Sequence, residues 1–217
     1  MGKLDGSVVM ITGTSRGLGL ALAEAFRSAG ATVERASRRE GVDLTREEDV
    51  VGWFDRVQER YGRIDVLVNN AGVLTPRTPL AEVTLGEWEA SLAGNLTTVF
   101  LCSREAVRRM IPQQMGLIIN VSSGVADRAA PTWGPYAAAK WGANGLTRLL
   151  AAEVAGDGIR VVSVNPGRTR TPMRAEAYPD EDPETVKTPA ETAPFFVALA
   201  AGEVEFENGE LLAWRKV

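Results

Sequence analysis

The chain has 217 residues, a formal net charge of −4, a single cysteine and no histidine, so it has room for one domain with a sizeable core and no basic surface for nucleic acid. Without histidine, Ser-His-Asp and Cys-His nucleophile systems, histidine acid–base catalysis and H-E-x-x-H zinc sites are excluded, no metal site is expected, and proton transfer has to use Tyr, Lys, Asp or Glu. A single cysteine, Cys102, fits a reducing compartment. The N-terminal "MGKLDGS" does not resemble a signal peptide, and no apolar run approaches the roughly 20 residues that span a bilayer. We therefore expect a cytoplasmic protein with no membrane partner.

Apolar runs and helical patterns alternate from one end of the chain to the other. Short apolar runs rich in β-branched residues are typical of buried strands, whereas apolar residues three and four positions apart indicate helices. The predicted strands are 7–12, 31–37, 41–45, 64–70, 116–123, 159–167 and 209–214. The predicted helices are 17–29, 46–61, 84–110, 135–155 and one that begins at a capping box made by Thr188 and Glu191, while the polar stretch 168–187 is predicted to be irregular.

This alternation predicts an α/β fold, because right-handed crossovers build a parallel β-sheet that is flanked by helices on both faces. We expect one domain that spans residues 1–217. In sheets of this kind ligands bind beyond the carboxyl ends of the strands. The motifs described next all follow predicted strand ends, which is where a binding site is expected.

A glycine-rich loop, "TGTSRGLG" at 12–19, follows the first predicted strand and opens the first helix. Gly13, Gly17 and Gly19 allow a tight turn that brings backbone N–H groups and a helix N-terminus toward a pyrophosphate. Such a loop also occurs as a plain tight turn, but its place between a strand and a helix favours dinucleotide binding. A second motif, "NNAG" at 69–72, fits either a close approach of the backbone to a ligand or a polar turn.

The stretch "GPYAAAKWG" at 134–142 places Tyr136 and Lys140 four residues apart, and therefore on one face of the predicted helix. An isolated phenol has a pKa of about 10, and a neighbouring ammonium group lowers that pKa toward the range useful for proton transfer. A surface lysine beside a half-buried tyrosine would give the same spacing. Ser123, at the end of the preceding strand, can reach the same crevice and donate a hydrogen bond to a carbonyl oxygen, which favours a catalytic site.

Six motifs together resemble the short-chain dehydrogenase/reductase family over nearly the whole chain. They are "TGTSRGLG", "NNAG", Asn95, Ser123, Tyr136-x-x-x-Lys140 and "NPGRTRT" at 165–171, in the order and approximate spacing of the family. The resemblance implies a Rossmann-type doubly wound sheet and a nicotinamide cofactor. It also implies hydride transfer between that cofactor and a carbonyl compound or secondary alcohol.

The resemblance assigns a role to each of four candidate catalytic residues. Tyr136 is expected to be the acid/base, and Lys140 is expected to lower the pKa of Tyr136 and hold the nicotinamide ribose. Ser123 is expected to orient the substrate oxygen, and Asn95 to anchor a proton-relay water. Ser122 is the competing serine, but the serine of the family lies thirteen residues before its tyrosine, which selects Ser123.

The cofactor is predicted to be NADP(H) rather than NAD(H). An NAD-type site places a carboxylate after the second strand, and this chain has Ser37 there, followed by Arg38. Arg38, together with Arg16 of the glycine loop, offers guanidinium groups to a 2′-phosphate. The alternative is that both arginines are only exposed loop residues. The predicted cofactor contacts are Gly13, Ser15, Arg16, Gly17, Leu18, Gly19, Ser37, Arg38, Asp43, Leu44, Asn70, Ala71, Gly72, Tyr136, Lys140, Pro166, Gly167, Thr169 and Thr171.

The sequence departs from the family pattern in three places. The segment between Ser37 and Asp43, near the expected adenine wall, is short where members of the family usually carry a helix, and the C-terminal "NGELLAWRKV" lacks the usual Asp-Gly-Gly. A short substrate lid is predicted at about 168–187. Its arginines would suit an acidic substrate, although solvated charges or contacts to cofactor phosphate are the favoured interpretations. These arginines are Arg168, Arg170 and Arg174.

The predicted function is that of an NADPH-preferring oxidoreductase for a small carbonyl or alcohol substrate. The family implies a homodimer or homotetramer with the helices 84–110 and 135–155 at the interface. One alternative is a non-catalytic NADP(H)-binding redox sensor or scaffold, but the complete set of four candidate catalytic residues argues against it. Another is a sugar-nucleotide epimerase or dehydratase of the extended branch, which would need a larger substrate domain than 217 residues allow.

Overall fold

Six parallel strands form one sheet at the centre of the computed structural model, which describes residues 2–217. The strands are β1 (Val8–Thr12), β2 (Thr32–Ala36), β3 (Val66–Asn69), β4 (Gly116–Val121), β5 (Ile159–Asn165) and β6 (Leu211–Ala213). They lie in the order β2-β1-β3-β4-β5-β6, and each neighbouring pair is parallel. The helices are α1 (Gly17–Ser28), α2 (Glu47–Tyr61), α3 (Leu85–Leu92), α4 (Thr98–Gln113), α5 (Gly134–Glu153), α6 (Pro172–Ala177) and α7 (Pro189–Ala200).

Helices cover both faces of the sheet, because successive residues of a strand point to opposite sides. In β1, Val8 and Met10 pack in the cluster formed with α2, α4 and α5, whereas Val9 and Ile11 pack in the cluster formed with α1 and α7. Each fully buried side chain of this size contributes roughly 1.5–3 kcal/mol. The predicted doubly wound α/β fold is therefore confirmed.

The chain switches direction across the sheet between β1 and β3. The strand that follows β1 in the chain lies on one side of it, and β3 lies on the other side. The loops that leave two such strands diverge and open a crevice at the carboxyl edge of the sheet. Because "TGTSRGLG" and "NNAG" occupy these two loops, the strand order brings the two motifs side by side.

The strand predicted at 41–45 is wrong. After β2 the chain forms a 3-10 turn, Arg38–Glu40, which ends at Gly41 with a left-handed φ of +75°. The N–H group of Val42 then bonds to the residue that caps this turn, so the backbone is satisfied locally and joins no ladder. Val42 and Leu44 are still buried in the cluster formed with α2. The apolar residues that suggested a strand therefore pack into the core, but the segment that carries them is irregular.

The long helix predicted at 84–110 is interrupted. A π turn, Ala93–Thr97, separates α3 from α4, and π turns occur often at functional sites. The capping box predicted at Thr188 and Glu191 is confirmed, since each residue bonds the backbone of the other. The stretch predicted as irregular contains α6. No helix within residues 2–217 combines the length and the apolar character needed to cross a membrane.

Candidate active site

A cavity of about 530 Å³ runs along the loops at the carboxyl ends of the strands. All the predicted cofactor residues line this cavity, and so do three of the four predicted catalytic residues, Ser123, Tyr136 and Lys140. Asn95 is the exception. The volume lies in the range of small-molecule and cofactor sites. The strand order brings into one cavity the predicted contacts, which lie between Gly13 and Thr171 in the sequence.

The glycine loop has the shape that a pyrophosphate site needs. Gly13 has a φ of +73°, and a Cβ added there would lie 2.7 Å from the Cα of Ala71. Gly19 leaves no space for a Cβ against the carbonyl group of Gly13. No side chain caps the first turn of α1, so its N–H groups and the positive end of the helix dipole remain free for an anion.

Thr12 and Asn70 join the two loops at the switch point. The Thr12 hydroxyl accepts hydrogen bonds from the N–H groups of Asn70 and Ala71 at 2.9 and 3.0 Å. The Asn70 amide donates to the carbonyl groups of Thr12 and Gly13 at 2.9 and 3.2 Å. The "NNAG" motif is therefore more than a polar turn, because the side-chain amide of Asn70 holds the glycine loop to the end of β3.

The end of the cavity after β2 carries an arginine and an aspartate, Arg38 and Asp43. Arg38 is 79% exposed and lies 3.6 Å from a carboxylate oxygen of Asp43. Hydrogen bonds from Thr45 hold the pKa of Asp43 below its usual value, and Arg38 adds to this. The Arg16 guanidinium has no hydrogen bond or ion pair within residues 2–217 and is exposed at the same cavity.

A carboxylate that the sequence did not single out lies beside Ser37. Glu40 accepts a hydrogen bond from the Ser37 hydroxyl and forms an ion pair of 2.8 Å with Arg35. Arg35 also donates to the carbonyl group of Thr14 at 2.8 Å. Because Glu40 is neutralised by Arg35 and does not line the cavity, we do not count it as an NAD-type ribose ligand. It ties the glycine loop to the end of β2.

Tyr136 lies in the first turn of α5, which begins at Gly134 and contains Pro135, next to the loop that leaves β4. Its side chain is 8% exposed. Burial raises the pKa of the Tyr136 phenol to about 12, and hydrogen bonding to Ser123 acts in the opposite direction. Ser123 itself caps the 3-10 turn Gly124–Ala126, which fixes its hydroxyl at the end of β4.

Lys140 lies one helical turn beyond Tyr136 and is 3% exposed. Its ammonium group donates to the carbonyl oxygen of Val121 at 2.8 Å and lies 5.8 Å from the centroid of the Tyr136 ring. Burial lowers the pKa of Lys140 to about 8. The net pKa of the Tyr136 phenol is raised and not lowered as the spacing predicts, because burial outweighs the hydrogen bonding to Ser123. The influence of Lys140 on this pKa stays a prediction.

Asn95 is fully buried in the π turn and does not line the cavity. Its Oδ1 accepts from the N–H group of Val73 at 3.0 Å, and its Nδ2 donates to the carbonyl groups of Val73 and Ser91 at 3.0 and 2.9 Å. These bonds fix the loop that follows "NNAG". The expected anchoring of a relay water stays a prediction, and the side chain of Asn95 is already engaged by protein groups.

A cluster that no sequence motif indicated closes the other end of the cavity. The Arg77 guanidinium lies 4.9 Å from the Trp133 ring centroid and 5.1 Å from that of Tyr178, and donates to the carbonyl group of Ala177 at 2.7 Å. Trp133 in turn lies 5.6 Å from the Tyr136 ring. We call these residues the Arg77 latch. Only the approach of three loops distant in sequence creates it, so no local signal could have found it.

The arginines of 168–187 are paired with carboxylates from the same segment. Arg174 forms a bidentate contact of 2.6 Å with Glu181, and Arg168 lies 3.4 Å from the same carboxylate. Arg170 pairs with Glu184 at 2.7 Å. Hydrogen bonds from Arg174 keep the pKa of Glu181 low, so the pairs that Glu181 forms with Arg174 and Arg168 persist near neutral pH. The suggestion that the three arginines select an acidic substrate loses its basis.

A family model described as short chain dehydrogenase matches residues 40–182, which is well over half of the chain. The chain belongs to the short chain dehydrogenase family. It is therefore an NAD(P)-dependent oxidoreductase, and its cavity fits the nicotinamide cofactor that the family uses.

The relatives of this short chain dehydrogenase cover it almost from end to end. It is 34% identical to a 3-oxoacyl-[acyl-carrier-protein] reductase of Thermotoga maritima over 97% of this chain and 96% of the relative. It is 33% identical to a cis-4-hydroxycyclohexanecarboxylate dehydrogenase of Sinomonas cyclohexanicum over 95% and 94%. A crystal structure of a short chain dehydrogenase from Shigella flexneri complexed with NADP has a TM-score of 0.89, 27% identity and 97% coverage of both chains.

Proposed function

We propose that this protein is an NADPH-preferring carbonyl reductase that also runs as a secondary alcohol dehydrogenase. The observation that carries the proposal is the placement of Ser123, Tyr136 and Lys140 on one wall of the cavity that the glycine loop enters. A reduction needs a proton donor at the substrate oxygen, and Tyr136 is the ionisable hydroxyl on that wall. The relatives that reduce an oxoacyl group or oxidise a cyclic alcohol support the same reaction class.

In this proposal each residue handles the substrate oxygen or its proton. The bound nicotinamide supplies the hydride that goes to the carbonyl carbon. Tyr136 gives its phenolic proton to the carbonyl oxygen, while Ser123 donates a hydrogen bond to that oxygen. A pKa of about 12 keeps Tyr136 protonated and ready to donate at neutral pH. Lys140 stabilises the phenolate as it forms, and alcohol oxidation follows the same steps in reverse.

The direct test of the chemistry is Tyr136→Phe, which removes the proton donor and little else. We expect kcat for NADPH-dependent ketone reduction to fall by about 10²- to 10⁴-fold. The Kd for NADPH, measured by fluorescence titration, should stay within about threefold because the phenol contributes one contact of many. Unchanged turnover would contradict the acid/base role. Tight NADPH binding by a wild-type protein that reduces no carbonyl compound would favour a redox sensor instead.

The preference for NADPH rests on Arg16 and Arg38. Both residues line the cavity, Arg38 after β2 and Arg16 in the glycine loop after β1, and neither is bound by a buried carboxylate. Each charge-assisted hydrogen bond to a 2′-phosphate is worth roughly 1.5–3 kcal/mol, so two of them predict a preference of about a hundredfold or more. NADPH binding and catalysis by the unmodified protein should show this preference over NADH.

Exchanging the charges at this end should reverse the preference. In the double variant Ser37→Asp/Arg38→Ala, the first substitution adds a carboxylate that repels the 2′-phosphate, and the second removes the guanidinium group that would bind it. We therefore expect kcat/KM with NADH to exceed kcat/KM with NADPH. Arg56→Ala is the control, because Arg56 is an exposed arginine of α2 that does not line the cavity. If NADH and NADPH bind the wild-type protein equally, Arg16 and Arg38 have no phosphate role.

The remaining proposals concern the lid and the assembly. We take residues 168–187 as the substrate lid, since residues from Arg168 to Tyr178 line the cavity. We also propose a homodimer or homotetramer built on α4 and α5. Phe100, Trp141 and Leu149 on these helices are 45–55% exposed, which is high for such large apolar side chains. Light scattering at micromolar concentration tests this, and a monomer would contradict it.

A further inference from the structure

The substrate end of the cavity has an apolar lining together with cationic side chains, of which Arg168 and Arg174 of the lid are paired with Glu181. Its walls come from the loop after β3, from the loop between β4 and α5 and from the lid, next to Tyr136. The apolar lining residues there are Leu74, Val125, Trp133, Met173, Ala177 and Tyr178. Arg128, on the same loop as Trp133, also lines the cavity.

Arg128 has no partner within the described residues 2–217. Its guanidinium group makes no hydrogen bond, ion pair or cation–π contact there, and the residue is exposed. The preceding residue, Asp127, lines a separate small cavity together with Ser122 and Asn144. No contact to another residue among 2–217 explains why this arginine lies beside an apolar wall.

The other charges on the cavity wall are already accounted for. Six cationic residues line the cavity against one carboxylate, Asp43. Arg168 and Arg174 pair with Glu181, and under the proposed function Arg16 and Arg38 bind the 2′-phosphate and Lys140 serves the nicotinamide ribose. The cationic residues are Arg16, Arg38, Arg128, Lys140, Arg168 and Arg174. Arg128 is the member of this set that remains without a partner.

We infer that the substrate is an anionic carbonyl or alcohol compound, and that Arg128 binds its carboxylate. The inference rests on the proposed function, since it names the substrate class of the same site. An apolar body would lie against Trp133 and Tyr178, its oxygen would face Tyr136, and its carboxylate would accept the planar fork of the guanidinium group. Arg128 is a specificity-determining residue in this arrangement.

The test compares isosteric substrates that differ in charge. The probes are meta- and para-acetylbenzoate and the matching acetylbenzamides, with NADPH consumption as the readout. We expect wild-type kcat/KM to favour the benzoates about ten- to a hundredfold through KM, as a charge-assisted hydrogen bond allows. Arg128→Gln should abolish the preference, and Arg128→Lys should keep part of it. Raising the salt concentration from about 0.05 M to about 0.5 M should weaken it in the wild type.

Two controls separate this inference from general charge effects and from the proposed function. Arg56→Gln removes an exposed arginine of α2 that does not line the cavity, and it should leave the preference unchanged. Calorimetric binding of benzoate and benzamide to the NADP⁺ complex needs no turnover, so it tests Arg128 even if no ketone is reduced. Equal binding and equal kcat/KM for acid and amide, or a preference that survives Arg128→Gln, would overturn the inference.

Discussion

The two walls of the cavity are built from different interactions. On the wall formed by β4 and α5, Tyr136 and Lys140 are at most 8% exposed, and burial sets the pKa of both. On the lid, Glu181 and Glu184 bind arginines whose side chains are 23–62% exposed. Ion pairs between exposed side chains contribute little to stability. Each unit by which burial shifts a pKa corresponds to about 1.4 kcal/mol between the two protonation states of the group. The candidate catalytic groups therefore lie on a buried wall, whereas the opposite wall is held together by ion pairs of partly or fully exposed side chains.

The largest expected effect comes from removing the buried cation in Lys140→Met. Turnover should fall by about 10²- to 10⁴-fold, and the Kd for NADPH should rise, because one ammonium group serves both the phenol and the cofactor ribose in the proposed mechanism. Steady-state kinetics and fluorescence titration measure the two effects. An unchanged Kd would remove the cofactor role of Lys140, and Lys140→Arg shows whether positive charge alone is enough.

The same variant reveals the cost of burying Lys140. The pKa of Lys140 is lowered from 10.5 to about 8, so the unfolded chain binds the proton more tightly between these pH values. Stability contributed by this site therefore rises with pH through that window. The free energy of unfolding of the wild type, relative to Lys140→Met, should increase by on the order of 3 kcal/mol from pH 8 to pH 10.5. Urea denaturation across this range tests it, and a constant difference would contradict the buried ammonium group.

An intermediate effect is expected where the two walls meet, at the Arg77 latch. Arg77→Met keeps the apolar stem but loses two cation–π contacts and the bond to Ala177. Together these are worth on the order of 1–3 kcal/mol. We expect KM for the carbonyl substrate to rise about tenfold, with NADPH affinity unchanged, because Tyr178 loses its support. If KM for both ligands changes equally, the latch supports the fold rather than the substrate end.

The smallest effect is expected on the lid itself. Glu181→Gln removes the carboxylate that Arg168 and Arg174 share, which makes an exposed contact to Arg168 and a half-buried bidentate contact to Arg174. None of these three side chains is among the candidate catalytic residues. We expect KM to change by about two- to threefold and its salt dependence to decrease, with kcat unchanged. Stopped-flow and steady-state measurements at two salt concentrations test this. A large loss of kcat would mean that the lid positions the reacting groups, which is contrary to the comparison of the two walls.

Sequence alone was sufficient for the properties that depend on residues close together in the chain. Alternating apolar runs and helical patterns predicted the parallel sheet, because the side-chain periods of 2 and 3.6 residues are local. Gly13 and Gly19 predicted a turn that admits no Cβ, and the structure confirms this geometry. The place of the motifs at one edge of the sheet follows from the rule that strand ends converge, and the resemblance to the family supplied the individual contacts that line the cavity. The strand predicted at 41–45 failed because two buried apolar residues do not distinguish a strand from a packed loop.

Only the tertiary structure decided the properties that depend on burial and on partners from distant segments. The spacing of Tyr136 and Lys140 predicted a lowered phenol pKa, but the burial of the phenol in the folded protein raises it. The sequence offered an acidic substrate, solvent or cofactor phosphate as partners of the lid arginines, but Glu181 and Glu184 neutralise them, and Arg128 is left without a partner among residues 2–217. The physical reason is the same in each case. Desolvation and ion pairing depend on which groups the fold brings within a few ångströms, and that information is absent from any local pattern.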